Sequence, residues 1–101
     1  GDGKHGVGAM YDLLAPSKSV SKPGWNHVTL GAMDNLITVV LNGELIIGMD
    51  VNQWTTAGQN PDGSTNKFKK ALKDFRRDGF IGFQDHGSPV KYRNIRIRPL
   101  N

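Results

Sequence analysis

The chain has 101 residues, 37% of them apolar and 22% charged, enough for one modest core in a single domain or part of one. It holds no cysteine, which excludes disulfides, thiolate nucleophiles and cysteine-ligated zinc, and no apolar run approaches the ~18 residues of a membrane-spanning helix. Net charge is +4 but uneven: residues 1–66 carry three lysines against six acids, and residues 67–101 carry ten basic residues against three acids.

Residues 1–6 form a glycine-rich start, and any secretion signal is expected to have been removed or to lie outside this sequence. Residues 7–14 read as a strand weakened by Gly8. Residues 15–24 hold Pro16, Pro23 and three serines, which is loop chemistry. Residues 25–33, 36–41 and 45–51 are three apolar, largely alternating runs. They are joined by Asp34-Asn35 and by Asn42-Gly43, a pair that tolerates the positive φ of a type I′ turn. The expected result is a three-stranded antiparallel meander in which Leu41 and Glu44 flank the second turn.

Residues 52–66 are a long polar loop containing Trp54, with a turn at Asn60-Pro61-Asp62-Gly63. Thr65 or Asn66 is placed to cap a short helix over 67–75, with Phe68, Leu72 and Phe75 as its apolar stripe. Residues 80–84 and 90–98 read as strands around a polar turn at 85–89. The last run changes phase, Val90 and Tyr92 on one face and Ile95 and Ile97 on the other, so a bulge is expected near Arg93-Asn94. The fold class is mainly β: an antiparallel β-sandwich or jelly roll with one short helix.

No phosphate loop, Gly-x-Ser-x-Gly elbow, His-Glu-x-x-His pair or EF-hand pattern is present. His5, His27 and His86 are far apart in sequence, so a divalent metal is an open option that spacing does not support. The densest polar group is Gln84-Asp85-His86 at a strand end. Asp beside His can orient the imidazole for general acid–base work, although Asp85 also suits a turn cap. Tyr11 and Asp12 suit stacking on a sugar and binding its hydroxyls, or equally a core position and a turn cap. Trp54 is either an exposed sugar platform or an anchor for its loop; Trp25, opening a strand, reads as core. Arg93 at the expected bulge is a candidate for a cleft.

Several segments carry a resemblance. Gly8-Ala9-Met10-Tyr11-Asp12-Leu13-Leu14-Ala15-Pro16-Ser17-Lys18, Lys22-Pro23-Gly24-Trp25-Asn26, Leu41-Asn42-Gly43, Gly82-Phe83-Gln84-Asp85-His86-Gly87 and Tyr92-Arg93-Asn94-Ile95-Arg96-Ile97 occur in that order. The chain resembles the 3-keto-disaccharide hydrolase family, formerly a domain of unknown function. That resemblance implies a concanavalin A-like lectin/glucanase jelly roll and hydrolysis or elimination at the glycosidic bond of 3-keto-glycosides. It also implies export to the periplasm or cell exterior, as in Bacteroidetes and Planctomycetes.

Residues 1–101 correspond to the C-terminal part of that single domain. A missing N-terminal fragment or a second copy is therefore expected to complete the sandwich. The expected partner is a carbohydrate, with no nucleic acid and no membrane span. Catalytic candidates are His86, Asp85 and Gln84; substrate-binding candidates are Tyr11, Asp12, Trp54 and Arg93. In this reading His86, oriented by Asp85, takes the C2 proton of a 3-keto sugar, and Arg93 or a metal stabilises the enolate. The alternatives are a non-catalytic carbohydrate-binding module and a basic surface for an anionic polymer.

Overall fold

The computed structural model describes residues 4, 9–10, 13–76, 82 and 91–99. The meander is present: β1 (Val28–Met33), β2 (Leu36–Leu41) and β3 (Glu44–Asp50) form an antiparallel sheet in that order. Leu41 pairs with Glu44 across Asn42-Gly43, and both turn residues have positive φ, 52° and 83°, as a turn matched to the strand twist requires.

Opposed residues in an antiparallel pair share a face. One face therefore carries Val28 and Leu30 of β1, Val39 and Leu41 of β2, and Ile47 and Met49 of β3. The ladder slips at Val39/Val40, which pair with Ile47 and Leu45, leaving Ile46 as the extra residue. The bulge lets two consecutive isoleucines turn inward: Ile46 and Ile47 are both buried. Leu13, Val51, Trp54 and Leu72 complete the core against β2 and β3.

That cover stops short of β1. Val28 and Leu30 lie on the core-side face, yet they are 52% and 73% exposed. The two sheet edges also differ. Beside β3, Ser17 N donates to Ile46 O at 2.8 Å and Lys18 Nζ lies 3.1 Å from Glu44 Oε1. Beyond β1 no backbone pairing is made among the described residues. Among the described residues the sheet thus has one partly uncovered apolar face and one open edge.

Several expectations need correction. In place of a strand over residues 7–14, the described part is a tight reversal: Leu13 N and Leu14 N both donate to Met10 O, and Met10 N donates to Leu14 O. The helix over 67–75 is reduced to a 3-10 turn, Leu72–Asp74. Asn66 Oδ1 accepts Phe68 N, closing a local turn in competition with a helix, and Ala71 is extended at ψ 135°. The apolar stripe survives in another form, with Leu72 buried and the Phe68 and Phe75 rings edge-to-face at 5.8 Å. Residues 91–99 form no regular strand among the described residues, so the bulge expected near Arg93-Asn94 has no ladder to interrupt; Asn94 itself is left-handed, at φ 56°. The strand expected over 80–84 and the turn at 85–89 lie outside the described residues, Gly82 excepted.

Candidate carbohydrate site

Two of the seven candidate site residues, Trp54 and Arg93, fall among the described residues. Tyr11, Asp12, Gln84, Asp85 and His86 lie outside them.

Trp54 is a correction. Its ring is 3% exposed and packed in the core, so it offers no open face to a sugar. Its indole Nε1 donates to Asn60 Oδ1 at 2.9 Å. Asn60, also 3% exposed, additionally accepts Asn66 Nδ2 and donates to Ser64 Oγ. The expected turn closes this loop, with Gly63 N donating to Asn60 O at 2.9 Å. Trp54 is the anchor that holds the 54–66 loop on the sheet. It also walls a shallow, mainly apolar hollow of about 180 Å³ together with Leu13, Leu14 and Met49.

Trp25 reverses expectation in the other direction. It precedes β1 and is 45% exposed. The Arg93 guanidinium carbon lies over its ring, 4.1 Å from the centroid. The structure thus joins Arg93 to a tryptophan that periodicity assigned to the core. The signal available in sequence was the Lys22-Pro23-Gly24-Trp25-Asn26 string, which has the composition of a turn rather than of a strand start.

Two asparagine amides fix the loop that carries Trp25. Asn26 Oδ1 accepts Lys22 N at 2.9 Å, and its Nδ2 donates to Lys22 O and Gly24 O. Gly24 sits at φ 83°, a left-handed position suited to glycine. Asn42, in the β2–β3 turn, donates through Nδ2 to Asn26 Oδ1 and Val20 O, and accepts His27 N. One turn therefore holds residues 20–27 at four places, counting Asn42 N to His27 O at 2.8 Å.

Electrostatics are mild. Asp62 is held below the usual carboxylate range, chiefly because its carboxylate accepts the Ser64 hydroxyl and amide. Among the described residues no three His, Asp or Glu side chains gather as metal ligands, and no helix is long and apolar enough to cross a membrane.

A solved structure shares this architecture. A protein of Parabacteroides distasonis described as a "Putative glycosyl hydrolase" superposes at a TM-score of 0.62 with 36% identity, over 66% of this chain and 36% of that one. With the antiparallel sheet and its uncovered face, this defines the chain as part of a jelly-roll β-sandwich. The family model described as a 3-keto-alpha-glucoside-1,2-lyase-like domain matches residues 1–98, and the chain belongs to that family. A curated "3-keto-disaccharide hydrolase" of Bacteroides thetaiotaomicron is 28% identical over 103 aligned residues, covering 92% of this chain and 36% of its own length. The chain thus spans about a third of each of these relatives.

Proposed function

We propose that this chain is part of a domain that cleaves the glycosidic bond of 3-keto-glycosides. The observation that carries the reading is the family match over residues 1–98, which takes in the Gln84-Asp85-His86 segment. The exposed tryptophan–arginine surface, the name of the Bacteroides relative and the description of the Parabacteroides structure support a sugar as substrate.

The chemistry follows from the carbonyl at C3, which acidifies the proton on C2. His86, oriented by Asp85, takes that proton, and its electron pair becomes the C1–C2 double bond as the C1–O bond breaks. Negative charge builds on the C3 oxygen during the step, where a guanidinium such as that of Arg93 stabilises it. The leaving oxygen takes a proton and departs as the free alcohol. Water added across C1–C2 then gives overall hydrolysis. Gln84, Tyr11 and Asp12 bind the sugar's hydroxyls in this scheme.

The uncovered Val28 and Leu30 fit a domain whose remaining portion packs on β1. The setting under this reading is the periplasm or the cell exterior, which fractionation of the host checks. The activity is tested by supplying a 3-keto-disaccharide and following monosaccharide release with His86→Ala alongside. Release by the wild type and its loss in the variant are expected; unchanged release by the variant removes His86 from the mechanism. Sugar binding without release leaves a carbohydrate-binding module.

A further inference from the structure

We infer that Trp25 and Arg93 together form a sugar-positioning subsite, in which the guanidinium held on one indole face donates to the oxygens of a pyranose packed against the rest of the exposed indole. The inference rests on the carbohydrate reading above and adds a residue that sequence periodicity assigned to the core.

Three observations converge on it. The first is exposure: nearly half of the surface of a large aromatic residue faces solvent. The second is the position of Arg93. With the guanidinium carbon over the ring at 4.1 Å, the cation is held by the indole face and carries its N–H donors in a planar fork. Those donors are fixed beside an aromatic surface, the pairing that a hydroxyl-rich ring with one C–H face calls for.

The third is rigidity. Asn26 and Asn42 fasten the loop on both sides of Trp25, so the ring is presented before any ligand arrives and little ordering remains to oppose binding. The surroundings favour a polar ligand over a protein partner. Lys22, Asn26 and His27 beside Trp25 are all exposed, whereas the apolar surface suited to protein packing lies further along, at Val28 and Leu30.

The test uses the full chain with two probes, methyl α-glucoside for binding and a 3-keto-disaccharide for turnover. Trp25→Ala is expected to weaken methyl α-glucoside binding by at least about fivefold, with Trp25→Phe restoring most of it. Arg93→Lys is expected to weaken it too, because an ammonium lacks the planar donor fork. Trp25→Ala together with Arg93→Ala is expected to cost less than the product of the single effects, since each residue positions the other. In turnover, the Trp25→Ala loss is expected chiefly in KM.

Thermal midpoints report folding, and Trp25→Phe and Arg93→Lys keep the test decisive should the alanine variant unfold. Binding within twofold of wild type in both conservative and alanine variants overturns the inference, as does a wild type that binds no glucoside. Glucoside binding through Trp25 without turnover upholds the subsite and removes the hydrolase reading. Turnover with KM unchanged in Trp25→Ala does the reverse.

Discussion

Trp54 Nε1 donates to Asn60 Oδ1 at 2.9 Å, and both residues are 3% exposed. The bond ties the 54–66 loop to the sheet core. Asn60→Ala leaves the indole N–H buried without its acceptor, and Asn66 Nδ2 loses the same oxygen. The expected cost is about 1–3 kcal/mol, read as a lower urea midpoint. In a Trp54→Phe background the same substitution is expected to cost less, because the orphaned indole donor is gone. Equal costs in the two backgrounds would show that the bond does not carry the loop.

Asn42 combines a left-handed backbone with three side-chain hydrogen bonds. Glycine tolerates φ 52° better than asparagine does, so backbone preference alone makes Asn42→Gly stabilising. The side-chain bonds argue the opposite and outweigh it: a net loss of about 1–2 kcal/mol is expected. The His27 amide, which loses its acceptor, should exchange faster with solvent. Asn42→Asp keeps that acceptor but turns an anion toward Val20 O and Asn26 Oδ1, so it is expected to destabilise more. A stabilised glycine variant would refute this account.

Asp62 titrates below its usual value of 3.8 in the folded chain because ionised oxygen accepts the Ser64 hydroxyl and amide. A carboxyl depressed by folding adds stability above its unfolded pKa, and loses that contribution as pH falls through the folded one. The wild type is therefore expected to lose stability below about pH 3.8 more steeply than Asp62→Asn. Unfolding midpoints taken at intervals from about pH 5 downward check this. Parallel curves for the two proteins would exclude Asp62 as a contributor.

The meander was legible because its signals are local. Asn42-Gly43 sets a turn, the turn sets the Leu41–Glu44 pair, and that pair sets the register of β2 on β3. The bulge at Ile46 was not legible, since two adjacent isoleucines signal only an apolar run until a core on one side draws both inward. Trp25 was misassigned to the core, and of the two readings of Trp54 the structure bears out the anchor, for a related reason. Trp54 sits in a polar segment but is buried by a hydrogen bond to Asn60 six residues on; Trp25 sits in an apolar pattern but is held out by Asn26 and Asn42. Side-chain amides decided both cases, and hydropathy periodicity does not register amides. Arg93 was singled out from an expected bulge in a strand that the described residues do not form, and its ring partner, 68 positions earlier, is a tertiary fact.

Gly31 and Thr38 face each other across β1 and β2. A Cβ built at Gly31 meets Thr38 Oγ1 at 2.5 Å, closer than the two atoms can approach. Gly31→Ala therefore forces the threonine hydroxyl aside, and Thr is stiff at χ1. Working in the other direction, alanine weakens the unfolded chain's entropy advantage over glycine by up to about 1 kcal/mol. The clash is expected to win, with a net loss of about 1 kcal/mol. Thr38→Ala alone removes a half-buried hydroxyl and should be close to neutral. Joined to Gly31→Ala it removes the clash, so the double variant is expected to exceed the single Gly31→Ala variant in stability, and to reach the wild type if sterics alone set the cost. A double variant no more stable than Gly31→Ala would mean that the backbone at Gly31, rather than the hydroxyl opposite, requires glycine there. Urea denaturation of the four proteins in this cycle measures the coupling directly.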